Sequence, residues 1–208
     1  MSEKSFDVAA GALCLDFANT VNWHASEQPV EGLQDYFDLI QWGTAAGALT
    51  GAQAAALRRA AEGQPEAAAA ALARAVQLRE AIYRIFVAYA ESGKVGEGDL
   101  AILNETLGEA LGRLRVMPAS ASPFLLDYPP HLAHLDRVRW AAARSAAELL
   151  TGENLERVRQ CADDRGCGYL FLDVSRNRSR RWCSMESCGN RAKARRHYRR
   201  QQQGDEMA

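Results

Sequence analysis

The amino-acid sequence predicts a mainly helical α+β protein. Its helical N-terminal domain is expected to contain a few short strands, and its C-terminal part to be a treble-clef-like zinc finger made of a β-hairpin and a helix. Apolar residues recur at helical spacing through most of the first 150 residues, and such periodicity is the primary signal of secondary structure. Four of the five cysteines fall between 161 and 188, and a strongly basic segment follows the last of them.

The N-terminal elements are predicted from apolar spacing and from residues typical of helix ends. Residues 12–22 alternate apolar and mixed positions, which is typical of a short, largely buried strand that runs into a polar turn. Apolar residues at helical spacing between 33 and 48 predict a first helix, and Thr50 is placed as the N-cap of a second. Pro65 opens a long Ala-rich helix, because proline is tolerated in a first turn.

The elements that follow are separated by proline-rich breaks. An amphipathic helix is predicted from about residue 99 to 114, and the stretch 117–123 ends it. A hairpin is predicted around the apolar run 124–126, and a further helix from about 132 to 150. The predicted units are a helical domain for sensing or dimerisation at 1–152, a zinc finger at 153–203 and a disordered tail at 204–208.

Charge is distributed very unevenly along the chain. Residues 174–203 carry ten Lys and Arg against one acid, a net of +9, whereas residues 1–173 carry fifteen against 23 acids, a net of −8. An acidic body with a basic tail indicates that the tail contacts a polyanion. No stretch approaches the roughly 18 apolar residues of a membrane span, and the first residues do not resemble a secretory signal. We therefore expect a cytoplasmic protein without a membrane partner.

The cysteine cluster predicts one structural zinc ion. Its spacing is Cys161-x5-Cys167, then fifteen residues, then Cys183-x4-Cys188. In a reducing cytoplasm such a cluster indicates metal binding rather than disulfides. Four thiolates close the tetrahedral coordination of zinc and leave no position for a substrate water. The alternative is four unrelated cysteines, some of them core residues, and Cys14 in its apolar segment is interpreted as core.

The segments around the cysteines complete the pattern of a finger. Residues 169–174 predict a strand, 175–179 a turn and 181–182 a return strand, and the residues after the last cysteine are compatible with a helix. Fewer than about 50 residues cannot bury enough apolar area to fold unaided, and metal binding supplies the deficit.

Five segments of the sequence resemble a known bacterial family. The Cys-Gly-Asn-Arg motif at 188–191, the preceding residues 181–185 and the segment 168–173 resemble the CGNR zinc finger. Such fingers follow a domain called ABATE, which is associated with stress-induced transcription regulation, and 15–20 and the region of Trp42 resemble its opening motif. The resemblance implies zinc on the four clustered cysteines and a DNA-binding role.

The basic segment supplies the candidate nucleic-acid contacts. They are Arg176, Arg178, Arg180, Asn190, Arg191, Lys193, Arg195, Arg196, Arg199 and Arg200. On a helical wheel Ala194, His197 and Tyr198 cluster in an arc that can pack on the hairpin, so that the cations face outward, where arginine forks suit phosphates. Asn190 and Arg191 are candidates for base contacts. The alternative is that Arg191 braces the zinc site and Asn190 caps its turn.

The expected partner is duplex DNA, and two alternatives stay open. A basic helix serves the backbone of structured RNA equally well, and the finger could instead bind an acidic protein. A single small DNA-binding unit buries only about 600–1,000 Å² of protein surface. Specific binding therefore predicts a homodimer, for which the helical N-terminal domain is the natural place.

Polar residues near the first predicted strand form a candidate pocket for a small-molecule effector. The pocket residues are Asp16, Asn19, Thr20, Trp42 and Arg79. The alternative is that Asp16 and Asn19 satisfy backbone groups at a buried turn, as Asp and Asn commonly do. The sequence contains no Gly-rich phosphate loop, nucleophile elbow or His-Glu metal motif, and its histidines lack catalytic spacing. We therefore do not expect an enzyme.

Overall fold

The computed structural model describes residues 4–118, 123–129 and 134–205, with the backbone alone at 197 and 199–205. The α-helices of the described residues are α1 (Leu13–Ala18), α2 (Tyr36–Ala45), α3 (Gly51–Gly63), α4 (Pro65–Ala90), α5 (Glu97–Arg113), α6 (Arg137–Thr151) and α7 (Asn190–Asp205). A 3₁₀ turn spans Leu155–Arg157, and a π-helical turn spans Met185–Gly189. The strands are β1 (Val21–Asn22), β2 (Val30–Glu31), β3 (Arg115–Pro118), β4 (Phe124–Asp127), β5 (Val158–Gln160) and β6 (Leu170–Leu172). These strands form three two-stranded antiparallel sheets, in which β1 pairs with β2, β3 with β4 and β5 with β6. The predicted mainly helical α+β class is confirmed.

Local sequence signals account for the starts of three helices. Asp35 and Asp38 form a reciprocal capping box at the start of α2, and Thr50 and Gln53 form another at the start of α3. Pro65 occupies the first turn of α4, where its missing N–H costs nothing. The predicted N-cap at Thr50 and the long helix from Pro65 are therefore confirmed. None of the helices in the described parts is long and apolar enough to cross a membrane.

The strand predicted at 12–22 is wrong, because most of this segment is helix α1. Five of the six residues of α1 are buried, so the segment has no polar face from which a helical period could be recognised. Gly11 precedes α1 at φ +92°, a left-handed conformation that glycine adopts without steric cost. The backbone N–H of Cys14 donates to the Ser145 hydroxyl of α6, which helps to fix this short helix within the bundle.

The β5–β6 hairpin packs into the same core as the helices. Val158 and Leu170 are fully buried and belong to one apolar cluster with residues of α1, α2, α4 and α6. The carbonyl of Ala10 accepts the N–H of Leu172 at 2.8 Å, which joins the chain just before α1 to β6. The predicted domain boundary at 152 follows the end of α6, yet the hairpin beyond it shares the core of the helical body.

The hairpin itself differs from the prediction in its second strand. Residues 170–172 pair with the upstream strand β5 rather than with 181–182. The chain near 181 instead accepts a backbone hydrogen bond from the other side of the site, from the N–H of Ala162 to the carbonyl of Arg181, at 2.8 Å. An upstream partner was missed because 158–160 carries two polar residues of three. Helix α7 extends to Asp205, and residues 206–208 of the predicted tail lie outside the described residues.

Candidate metal centre and nucleic-acid interface

Four cysteine side chains converge beside the β5–β6 hairpin. Cys161 directly follows β5, and Cys167 lies between β5 and β6. Cys183 precedes the helical turn Met185–Gly189 that leads into α7, and Cys188 lies within that turn. Their Sγ atoms all lie within 4.8 Å of one another. Segments that are up to 27 residues apart in the chain therefore meet at one point.

The spacing of the sulfur atoms fits one tetrahedral zinc ion. Zinc–sulfur bonds of about 2.3 Å in a tetrahedron place the sulfurs about 3.8 Å apart. The Sγ atom of Cys183 lies 3.7 Å from that of Cys167 and 3.5 Å from that of Cys188. Four such ligands complete the coordination shell, so the site suits a structural ion. The prediction of one zinc ion on these four cysteines is confirmed.

The remaining cysteine has a different environment. The side chain of Cys14 is fully buried among apolar residues of the helical core. Burial raises the pKa of Cys14 to about 12, because a thiolate in this environment would lose its hydration. The interpretation of Cys14 as a core residue therefore agrees with its position, and its thiol remains protonated at neutral pH.

Nitrogen donors surround the sulfur cluster. The backbone N–H of Cys183 donates to Cys161 Sγ at 3.4 Å, and the Arg191 guanidinium donates to Cys188 Sγ at 2.8 Å. A tetrathiolate zinc centre carries a net charge of −2, and such hydrogen bonds and positive charge offset it. Arg191 thus braces the metal site from the first turn of α7.

The turn that carries Cys167 packs tightly against an N-terminal loop. A Cβ atom on Gly166 would lie 2.6 Å from backbone atoms of Ser26, and one on Gly168 would lie 2.6 Å from the Tyr83 hydroxyl. Both glycines also have positive φ, at +85° and +70°. The glycines therefore permit both the sharp turn and the close approach of the metal site to residues 23–26.

One buried carboxylate anchors the start of α7 to the metal loop. Asp163, whose side chain is fully buried, accepts from Arg195 at 2.9 Å and from Arg191 at 3.4 Å. Burial by itself opposes ionisation, but hydrogen bonds from Arg195 and from the backbone of Arg165 outweigh it. The pKa of Asp163 therefore lies well below its usual range. Asp163 remains ionised at neutral pH and holds two of the helix's arginines inward.

Two arginines contact the Trp23 ring at the same junction. The guanidinium carbons of Arg165 and Arg191 lie 5.2 and 5.1 Å from the centre of the Trp23 ring, within the range of cation–π attraction. Trp23 has a φ of +56°, a left-handed conformation that is uncommon for a bulky residue and indicates local backbone strain. The N-terminal loop therefore contacts the side chain that also braces the zinc ligand Cys188.

The inner face of α7 differs from the predicted arc. Ala194 is exposed and Tyr198 exposes 67% of its surface, whereas Arg191 and Arg195 face the body of the protein. For Ala194 and Tyr198 the predicted packing arc is therefore wrong, and the side chain of His197 lies outside the described residues. The cause is the buried Asp163 carboxylate, which a helical wheel of α7 alone does not contain.

The structure divides the predicted nucleic-acid contacts into two groups. Contacts within the protein engage Arg178 with Glu156, Arg180 with the Phe171 ring, Asn190 with the Glu186 carbonyl, and Arg191 and Arg195 with Asp163. Arg176, Lys193 and Arg196 are exposed and form no ion pair with any described residue. The side chains of Arg199 and Arg200 lie outside the described residues. Among the predicted contacts, Arg176, Lys193 and Arg196 thus carry outward charge that no acid of the described residues neutralises.

The residues of the predicted effector pocket mostly make internal contacts. Asp16 accepts the N–H of Ala10 at 2.8 Å, and Asn19 bonds both backbone groups of Leu170. Trp42 is fully buried, 5.0 Å from the Phe17 ring. These contacts correspond to the alternative in which polar groups satisfy the backbone at a buried turn.

Thr20 and Arg79 come together beneath the β1–β2 hairpin. The Arg79 guanidinium donates to the Thr20 hydroxyl at 3.2 Å, and to both carboxylate oxygens of Glu31 at 2.7 Å. It also donates to Glu80 at 2.8 Å, so two carboxylates already neutralise its charge. Thr20 and Glu31 line a cavity of about 600 Å³, and Arg79 is not among the described residues that line it.

Asp163 and Trp23 are the site residues that sequence reasoning did not find. The available signal for Asp163 was its place inside the Cys161-x5-Cys167 loop, where an acid among basic neighbours has an evident partner. Trp23 gave no such signal, because it is 138 residues from Cys161 in the chain and meets the metal site only through the fold.

Comparison with protein-family models gives two matches. A model named ABATE, described as "Putative stress-induced transcription regulator", matches residues 11–153. A model described as "CGNR zinc finger" matches residues 157–201. No curated protein matches the chain. The first match covers more than half of the chain, and the second contains all four clustered cysteines.

Proposed function

The chain belongs to the ABATE family and carries a CGNR zinc finger after the ABATE region, and on this premise we propose that it is a stress-responsive transcription regulator that binds duplex DNA through α7. The observation that carries the proposal is the attachment of α7 to the metal centre. Its first turn is held by Cys188, and two arginines are held inward by Asp163. The orientation of the helix is therefore set before any partner arrives.

The outward surface of this segment suits a phosphate backbone. Lys193 and Arg196 are three residues apart and occupy the same side of α7, where both are exposed. Arg176 is exposed in the turn that follows β6. Cations that have no acidic partner in the described protein favour an anionic one, and arginine forks match phosphate oxygens well. The tail thus serves as a cationic surface of fixed orientation.

The proposal is tested by fluorescence anisotropy with the zinc-loaded full chain on duplex DNA over a salt series. Each phosphate contact contributes about −0.9 to the slope of log K against log salt. The double variant Lys193→Ala, Arg196→Ala should flatten that slope by about two and weaken binding evenly across sequences. A matched pair of exposed cations on the helical body, changed as Arg59→Ala with Lys94→Ala, should leave the slope unchanged.

The same measurement separates the alternatives. Tighter binding of structured RNA than of duplex DNA at equal salt would favour an RNA-binding protein. Failure to bind either nucleic acid at low salt would favour a finger that binds an acidic protein. A loss confined to one DNA sequence in the double variant would mean that Lys193 or Arg196 contacts bases.

A sensing role for the ABATE region is proposed on the cavity beneath β1–β2. The cavity of about 600 Å³ is lined by Lys4, Thr20, Asn22 and Glu31 among others, which gives it both charges and a hydroxyl. Such a lining suits a small polar effector, and the region has a binding rather than a catalytic role in this proposal. Screening polar metabolites for an increase in melting temperature tests it, and the increase should disappear in Asn22→Leu.

A further inference from the structure

The Tyr83 hydroxyl of α4 contacts both chain segments that carry the first pair of zinc ligands. It accepts a hydrogen bond from the Gln160 side chain at 3.0 Å, and Gln160 directly precedes Cys161. A Cβ atom on Gly168 would lie 2.6 Å from the same hydroxyl, and Gly168 directly follows Cys167. Tyr83 is itself buried. One side chain of the helical body thus holds the chain next to each ligand of the first pair.

The His24 ring stacks on the Tyr83 ring. The ring centroids are 3.5 Å apart, and the ring planes differ by 17°. The His24 side chain exposes only 9% of its surface, and its Nε2 atom lies 3.0 Å from the Glu80 carboxylate. Because this contact fixes the plane of the imidazole, it also restricts the phenol ring that is stacked on it. His24 therefore connects Tyr83 to Glu80.

The Arg79 guanidinium continues these contacts to the cavity beneath β1–β2. Its Nη1 and Nη2 atoms donate to the two oxygens of Glu31 at 2.7 Å, and its Nε and Nη2 atoms donate to one oxygen of Glu80 at 3.0 and 2.8 Å. The guanidinium is planar, so both carboxylates are held in orientations that depend on each other. The Arg79 side chain is buried, whereas Glu31 exposes 40% of its side chain and lines the cavity.

Glu80 is charged at neutral pH. Burial opposes its ionisation, but the hydrogen bond with His24 and the charge of Arg79 outweigh that effect and lower the pKa of Glu80 to about 2. Charges that are partly removed from water interact more strongly than charges on an open surface. A change in the position of Arg79 is therefore felt at His24.

The first ligand pair needs such support more than Cys188 does. Cys188 has its own brace in the Arg191 guanidinium, which donates to its Sγ atom. Cys161 and Cys167 are separated by five residues, and closing that loop on a metal ion costs chain entropy. Ligands that are already held in place bind a metal more tightly, and residues beside the ligands commonly do this.

We propose that zinc retention by the first ligand pair is controlled from the cavity beneath β1–β2 through a positioning row made of Glu31, Arg79, Glu80, His24 and Tyr83. Each member acts on the metal through the next, and Tyr83 acts through the residues beside the ligands. A ligand that draws Glu31 away from Arg79 would then speed the loss of zinc. This last consequence rests on the sensing role proposed for the cavity, whereas the row itself is tested without any effector.

The end of the row nearest the metal is tested by the rate of zinc transfer from the full chain to the chelator 4-(2-pyridylazo)resorcinol, without nucleic acid. Tyr83→Phe removes the hydroxyl and should release zinc about tenfold faster. Gln160→Leu removes the same hydrogen bond from the strand and should give a similar increase, so a folding defect in one variant does not decide the result. Tyr89→Phe is the matched control in α4, because Tyr89 exposes 37% of its surface, and its rate should stay within about twofold.

The far end of the row is tested at the cavity wall. Glu31→Gln removes the charge and replaces one acceptor oxygen with an N–H donor, so Arg79 loses one of its two hydrogen bonds to this side chain. Zinc release should become about threefold faster. Glu66→Gln is the control, because it changes an exposed acid in the first turn of α4, about 20 Å along the helix from Arg79. Its rate should equal that of the wild type.

A double variant distinguishes one connected row from separate local effects. His24→Phe keeps an aromatic ring against Tyr83 but loses the contact with Glu80, and it should also release zinc about threefold faster. Glu31→Gln combined with His24→Phe should be no faster than His24→Phe alone, because both substitutions interrupt the same row. Effects of independent sites would instead multiply to about ninefold.

Cobalt(II) in place of zinc adds a spectroscopic readout. The absorption bands of a tetrahedral tetrathiolate site should persist in Glu31→Gln, which would show that the site still forms and only its retention has changed. Loss of these bands, an unchanged release rate in Glu31→Gln, wild-type rates in both Tyr83→Phe and Gln160→Leu, or multiplying effects in the double variant would overturn the proposal. Since no nucleic acid is present, these outcomes are distinguishable from a failure of DNA binding.

Discussion

At the scale of single residues, Asp16 is a buried acid whose side chain accepts a hydrogen bond from the backbone N–H of Ala10. Burial raises the pKa of Asp16 to about 6, although the N–H of Ala10 partly offsets that effect. The folded chain therefore holds the proton more tightly than the unfolded chain does. The free energy of unfolding should accordingly fall by at most about 3 kcal/mol as pH rises from about 4 to 6. Above pH 6 this contribution should stay constant.

We expect Asp16→Asn to remove this dependence, because the amide keeps an acceptor for Ala10 and does not titrate. Its free energy of unfolding, measured in urea from pH 4 to 7.5, should match the wild type near pH 4 and exceed it by up to about 3 kcal/mol above pH 6. Loss of zinc at low pH affects both chains and cancels in the difference. A difference that does not vary with pH would contradict the assignment.

Asp163 is the residue on which the start of α7 depends. Asp163→Asn removes the charge that faces Arg191 and Arg195, and breaking a buried ion pair costs about 3–5 kcal/mol. Zinc release to a chelator should become at least about tenfold faster. In the control Asp164→Asn, an exposed side chain that contacts Arg195 is changed, and the rate should stay within about twofold. Equal rates in both variants would show that Asp163 has no special role.

Residue types and local spacing predict only some of the residues that form the metal site. The four zinc ligands follow from their own spacing, because ligand pairs are close in sequence. The contact of Trp23 with Arg165 and Arg191 depends on segments more than 140 residues apart, which no local pattern contains.

At the scale of elements, Asn19 joins the end of α1 to β6. Its side chain accepts the N–H of Leu170 at 2.9 Å and donates to the carbonyl of the same residue at 2.8 Å. Asn19→Ala leaves both buried backbone groups without partners, and we expect a loss of about 2–4 kcal/mol in urea unfolding. The exposed control Asn22→Ala should change stability by less than about 0.5 kcal/mol. A small loss in Asn19→Ala would mean that water replaces the amide.

The long helices were predictable because each has a polar face and recognisable ends, as α4 with Pro65 shows. The helix α1 was not, since burial on nearly all sides removes the period that distinguishes a helix from a strand. The pairing of β6 with β5 was missed because a strand of three residues with two polar members gives no alternation. The short elements α1, β5 and β6 are stabilised by packing on the helical core rather than by the intrinsic secondary-structure propensity of their residues.

At the scale of the whole molecule, the metal ion should control α7 and spare the helical body. Cys188→Ser should reduce bound zinc from one ion per chain to none and remove the circular dichroism signal of the 16 residues of α7. The helices α1 to α6 should persist, because their core is formed without the sulfur cluster. Cys14→Ala is the control and should retain the ion. Unchanged zinc content in Cys188→Ser would contradict the ligand assignment.

The close seating of Gly166 and Gly168 on the loop 23–26 also bears on how this architecture can change over generations. If recombination joined this finger to an unrelated N-terminal domain, the turn that carries Cys167 would lose the loop against which it packs. A drifting N-terminal loop would likewise disturb the ligand turn. We therefore expect the zinc finger and the loop 23–26 to be inherited together and to change together, rather than to be exchanged independently between proteins.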